Sequence, residues 1–184
     1  TPDEQRPFKW TLITAQGGQG KTRLALEVAI EAQAQGWNAG FYRRDAKYDE
    51  WERWEPQENT LIIMDYAALQ AETARRAILT MAEKARCNGV QLRLMLLERY
   101  FSDQEEWCKK LLATGSQNAT TVRATYWSPA PADAESLMRA ATPSIEPMSL
   151  PPLAEGDFIA IMRAYHDQYR AYHHQPPQTL AESD

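Results

Sequence analysis

A parallel α/β sheet with helices on both faces is the fold class that the sequence predicts, and three observations predict it. Apolar strand-like runs alternate with helix-like stretches along the first two thirds of the chain. Two of those runs, "TLIIMDY" (60–66) and "VQLRLMLLE" (90–98), are almost uninterruptedly apolar, as strands covered on both faces must be. A glycine-rich turn separates the first strand from the first helix. The chain of 184 residues is long enough for one well-buried domain with a small appendage.

Taken in order, "FKWTLITA" (8–15) reads as a short buried strand bounded by Pro7 and the glycines. From Lys21 to Gln35, Leu24, Val28 and Ala32 recur at helical spacing, and Gly36 stops the helix. "WNAGFYR" (37–43) is a second strand candidate, followed by a charged, aromatic loop with room for one helical turn. After the 60–66 strand, Ala74, Ala77, Ile78, Met81, Ala82 and Ala85 form a helical stripe that "CNG" ends. After the 90–98 strand, "SDQE" from Ser102 has capping-box spacing, with Trp107, Leu111 and Leu112 as the apolar face behind it. "TTVRATYW" (120–127) alternates as one more strand. Beyond it, prolines punctuate two helix candidates, 133–141 and 157–173. The expected organisation is a core over 1–128 and a helical extension over 129–184 that starts a lid domain.

Bulk chemistry narrows the partners. A formal charge of -5 without a basic block argues against direct nucleic-acid binding. No apolar run approaches membrane-spanning length, and the N-terminus does not read as a signal peptide, so a cytoplasmic protein without a membrane partner is expected. Cys87 and Cys108 have no metal-type spacing and read as buried thiols in a reducing compartment. "NAT" at Asn118 matches the glycosylation pattern by chance in a chain without an export signal. The first residue is Thr, which suggests a piece of something larger.

The turn "AQGGQGKT" (15–22) carries the chemistry. Gly17, Gly18 and Gly20 let successive backbone N–H groups point inward as an anion nest, with Ala15, Gln16, Gln19 and Arg23 completing the loop. The helix starting near Lys21 adds its positive end. Lys21 can reach β- and γ-phosphates, and the Thr22 hydroxyl can ligate the accompanying Mg²⁺. A phosphate-binding loop in this class is paired with a strand-ending aspartate, and "LIIMD" supplies Asp65 as the second Mg²⁺ residue.

Because one strand candidate lies between the loop and Asp65, the 90–97 strand should insert between the loop strand and the Asp65 strand. The expected fold is then a three-layer P-loop NTPase sandwich of the additional-strand type, with about five mainly parallel strands in the order 5-1-4-3-2. Glu98 and Arg99, just past the inserted strand, should face the γ-phosphate: Glu98 to orient water, Arg99 to sense or stabilise charge. A surface ion pair at a strand end is the plainer reading of those two. Without an Asn-Lys-x-Asp motif the base is expected to be adenine, so the cofactors are ATP or ADP with Mg²⁺.

The motifs "GGQGKTRLALEVA", "TLIIMDYAA" and "LRLMLLERY", with Trp107 in the next helix, resemble the STAND class of signal-transduction ATPases over residues 8–115. They look like the nucleotide-binding module of bacterial multidomain signalling and antiphage-defence proteins. The resemblance implies that ATP binding is the functional event, with slow hydrolysis, self-association, and fused or partner sensor and effector domains. It implies Lys21 and Thr22 as the loop pair, Asp65 as the Mg²⁺ aspartate and Arg99 as the sensor arginine. Two departures stand out: Tyr66, Ala67 and Ala68 after Asp65 are neutral, and the chain has no room for a winged-helix lid, sensor repeats or an effector. The alternatives are a non-enzymatic, nucleotide-bound interaction module and a small-molecule P-loop kinase. The second wants lid arginines, of which 114–132 offers only Arg123.

Two further groups have plainer readings. Trp51 and Trp54 can stack on an adenine, dock a partner or cover a local apolar patch, the last being the commoner use. His166, His173 and His174 fit a solvated helix end better than a metal site, for want of partners at ligand spacing.

Overall fold

The computed structural model describes residues 6–43, 50–112, 118–126 and 145–152. The chain divides into two compact units, Thr1–Pro151 and Pro152–Asp184. Every element below belongs to the first.

The elements run β1 (Phe8–Thr14), α1 (Lys21–Ala34), β2 (Asn38–Phe41), α2 (Glu50–Arg53), β3 (Thr60–Asp65), a 3₁₀ turn (Ala67–Gln70), α3 (Ala71–Asn88), β4 (Leu92–Glu98), α4 (Glu106–Leu112), α5 (Asn118–Ala124) and β5 (Met148–Ser149). The strands form one five-stranded sheet, ordered β2-β3-β4-β1-β5, with every pairing parallel. Read from the other edge this is the expected order, with β4 inserted between β1 and β3.

Alternating side chains along each central strand enter two different cores. Leu12, Met64, Leu94 and Leu96 pack with Ala74, Ala77, Ile78 and Met81 of α3 and with Trp107 and Leu111 of α4. Ile13, Ile63, Met95 and Leu97 pack on the other face with Ala25 and Ala29 of α1. Burial on both faces is why these strands read as continuous apolar runs. On α1 the deepest positions are Ala25 and Ala29, with Leu24, Val28 and Ala32 flanking them half-buried. Small residues at the centre let the helix sit close to the sheet.

Three expectations are corrected. The strand expected over 120–127 is absent from the described part of that segment, 120–126. Residues 118–124 form α5, because Val122 and Tyr126, four apart, are the buried pair, and only a single parallel bridge joins Tyr126 to Trp10. The buried Trp10 indole N–H donates to the Val122 carbonyl at 2.8 Å, and this fixes the helix against β1. The fifth strand is instead Met148–Ser149, past residue 128, paired with Ile13 and Thr14. Cys87 is exposed on α3, whereas Cys108 is buried, and both are free thiols. Ser102 makes no capping box: its hydroxyl accepts from Gln104 N–H at 3.3 Å and its carbonyl from Glu105 N–H at 2.9 Å, and α4 starts one residue later.

Trp51 is buried, stacked on Tyr42 and edge-on to Trp54, so this aromatic group covers the core beside α3. The helix candidates at 133–141 and 157–173, and the three histidines, lie outside the described residues.

Candidate functional site

Register brings the site together. Thr14 pairs with Glu98 and Asp65 with Leu97, so β1, β3 and β4 end at one level. In open parallel sheets the crevice beyond the carboxyl ends of the strands is the place for a ligand. A cleft of about 310 Å³ opens there, lined by Gly17 through Arg23, Asp65, Tyr66, Glu98 and Arg99.

The loop is shaped by its backbone. Ala15, buried at the end of β1, donates its N–H to the Glu98 carbonyl at 3.2 Å, tying the start of the loop to β4. Gly18 and Gly20 both stand at φ +81°, a left-handed conformation that an L side chain rarely adopts. Gln19 turns back so that its Oε1 accepts from Gln16 N–H at 2.9 Å. Helix α1 then starts at Lys21, with Leu24 N–H donating to the Gly20 carbonyl at 2.8 Å.

The Lys21 ammonium folds over this loop, donating to the carbonyls of Ala15 at 2.6 Å and Gln16 at 3.2 Å. Ala15 and Gln16 thus stand behind the cleft as acceptors for Lys21, and Gly17 through Arg23 form its wall. Arg23 pairs with Glu27 one helical turn on, with both side chains largely exposed.

Across the cleft, Asp65 ends β3. Its Oδ2 accepts from the Thr22 hydroxyl at 2.9 Å and its Oδ1 from Tyr66 N–H at 2.8 Å. Tyr66 itself is left-handed, at φ 56° and ψ 55°, and the Gln70 side-chain amide holds the Asp65 carbonyl at 3.1 Å. Glu98 ends β4 and is buried; its Oε1 accepts from Arg99 N–H at 2.7 Å and its Oε2 from Ala68 N–H at 2.8 Å.

The loop residues 15–23, Asp65, Glu98 and Arg99 therefore meet at one cleft or directly behind it. Tyr66 is the residue that sequence reasoning missed. The sequence marks it only as a neutral neighbour of Asp65, and nothing in its type signals a left-handed backbone.

A hydroxyl and a carboxylate held 2.9 Å apart are hard oxygen donors, the set that suits Mg²⁺. Among the described residues no group of three or more His, Cys, Asp or Glu is placed to hold a metal by itself. A cation at Thr22 and Asp65 would need further oxygen donors from water or a ligand. Among the described residues no helix is long and apolar enough to cross a membrane. No family model matches the sequence, and no curated protein matches it closely enough to be aligned with it.

Proposed function

We propose that the chain is an ATP-binding switch module of the P-loop NTPase fold, which takes Mg-ATP or Mg-ADP in the cleft at the ends of β1, β3 and β4. The reading extends the resemblance to STAND ATPases. Nucleotide binding changes conformation and assembly in a larger signalling or defence protein, and hydrolysis is slow. The observation that carries it is the convergence of Lys21, Thr22 and Asp65 on one cleft through a loop with two left-handed glycines.

In that reading the loop N–H groups and the positive end of α1 hold the phosphates. Lys21 leaves its carbonyl acceptors for the β- and γ-phosphates. Thr22 and Asp65 would hold Mg²⁺, which neutralises phosphate charge. Arg99, at the mouth of the cleft, meets the γ-phosphate and distinguishes ATP from ADP.

Slow turnover is supported by Glu98, whose two oxygens already accept backbone N–H groups, and by the neutral residues after Asp65. The same observation favours the second reading, a module that holds nucleotide without turning it over. A kinase is supported less, since Arg123, its lid candidate, is not among the residues lining the cleft.

Calorimetric titration with ATP, ADP and GTP in Mg²⁺ tests the proposal. ATP and ADP should bind, GTP more weakly. Lys21→Ala should weaken ATP by roughly tenfold or more, since hydrogen bonds to charged groups contribute about 1.5–3 kcal/mol. ATP binding that is absent, or unchanged in Lys21→Ala, would overturn it.

A further inference from the structure

A buried carboxylate is costly unless its oxygens are satisfied, and those of Glu98 are satisfied by two backbone donors that follow two different strands. Arg99 N–H belongs to its own strand end. Ala68 N–H belongs to the 3₁₀ turn that follows Asp65, thirty residues away in the chain. Between Asp65 and that turn stands Tyr66, in a left-handed conformation that disfavours a tyrosine. Such a residue persists only where its surroundings over-determine it. The tethers on this segment include Glu98 on Ala68, Gln70 on the Asp65 carbonyl, Asp65 Oδ1 on Tyr66 N–H, and Leu69 N–H on the Tyr66 carbonyl. A continuous set of contacts thus runs from Arg99 through Glu98, Ala68, Tyr66 and Asp65 to Thr22.

We infer that Glu98 is a positioning residue: it pins the Asp65–Ala68 turn to the end of β4, and so holds the Asp65 carboxylate on Thr22 and the Arg99 backbone at the mouth of the same cleft. This replaces the role of orienting water that the sequence suggests for Glu98. A water-orienting carboxylate aims an oxygen at the phosphate end of the cleft, whereas both oxygens here are turned to the backbone. Glu98 also makes one mechanical unit of the cation-binding side and the arginine side.

The inference rests on the proposed nucleotide site, and two measurements separate the two claims. Hydrogen exchange on the nucleotide-free chain needs no ligand. Glu98→Gln replaces one carboxylate oxygen with an N–H₂ group that cannot accept from Ala68 or Arg99. Exchange of the amides at 66–70 and 99 should accelerate at least tenfold, with those in the middle of α1 and α3 unchanged.

ATP titration with and without Mg²⁺ supplies the second readout. The unmodified chain should gain affinity from Mg²⁺. Glu98→Gln should lose most of that gain while keeping its Mg²⁺-free affinity, a split that a general loss of stability does not produce. Tyr66→Gly in the Glu98→Gln background removes the left-handed strain and should restore part of the gain; it carries the test where the single variant does not fold.

Unchanged exchange at 66–70 together with an unchanged Mg²⁺ gain would overturn the inference, as would a Glu98→Gln chain that binds Mg-ATP normally and loses hydrolysis alone. An unmodified chain that binds no ATP overturns the proposed function, and the exchange result then still decides whether Glu98 pins the turn.

Discussion

At Gly20 a side chain would meet no heavy atom within 4 Å, so substitution there is a question of backbone conformation and not of space. The residue stands at φ +81° immediately before α1, where its carbonyl receives the first helical hydrogen bond. A non-glycine residue in that conformation costs roughly 1–2 kcal/mol. Gly20→Ala should therefore lower stability by about 1 kcal/mol in urea denaturation and weaken Mg-ATP binding severalfold in titration. A variant with unchanged stability and affinity would mean that the loop does not depend on this conformation.

Individual residues differ in how far their type discloses their place. Glycines around a lysine and a threonine announce the loop, because few other chemistries need that spacing. Ala15 fits the first position because it is small, and it is buried against the end of β4. Tyr66 discloses nothing, since its conformation is imposed by contacts with Asp65 and the turn that Glu98 holds.

Elements were legible in proportion to their length and burial. β1, β3 and β4 send residues into two cores, and that double burial writes itself into the chain as unbroken apolar runs. The stripe of α3 is equally plain, with buried residues at helical spacing from Ala71 to Ala85 of an 18-residue helix. Segment 118–126 is too short for period to decide between strand and helix, and its outcome rests on the contact of Val122 with Trp10. β5 is two residues long and carries no pattern at all.

What joins these two poorly legible pieces is Tyr126, whose hydroxyl donates to the Glu146 carbonyl just ahead of β5 and whose ring meets Trp10 edge-on at 4.8 Å. Tyr126→Phe keeps the ring and removes the hydrogen bond, so a loss of about 1 kcal/mol is expected in denaturant titration. Burial first, and the Glu146 carboxylate second, push the phenol well above its ordinary value of 10.0. The folded chain thus holds this proton more tightly than the unfolded one. Its contribution is complete below about pH 10 and falls as pH rises through the ordinary tyrosine range and beyond. Tyr126→Phe should lack that part of the alkaline loss. Identical alkaline profiles for the two chains would count against the burial argument.

For the whole molecule, the question is how strongly ligand binding at one end of the sheet reports on the folded state. The loop follows β1, the proposed cation pair joins α1 to β3, and Glu98 ends β4 just ahead of Arg99, so a ligand in this cleft would touch the ends of three adjacent strands of the first unit. A ligand that binds only the folded chain stabilises it by about 2.7 kcal/mol at a concentration of 100 times Kd. For a unit of about 150 residues that corresponds to a rise in Tm of roughly 5–10 °C. Mg-ATP should produce this shift in the unmodified chain, and at the same ATP concentration Lys21→Ala should show a smaller rise, its stabilisation being less by roughly 1.4 kcal/mol or more, the equivalent of its tenfold weaker binding.

The comparison with Mg-ADP at equal multiples of its own Kd is a control, since equal saturation gives equal stabilisation. At equal absolute concentrations the difference between the two shifts measures their difference in affinity. A ligand moves an equilibrium between two states only by its differential affinity for them. The switch reading therefore requires a second observation: at saturation, ATP and ADP must leave the chain in distinguishable states, seen as different exchange at 66–70 beside Arg99. Saturating ATP and ADP that give the same exchange pattern would leave a nucleotide-holding module and remove the switch.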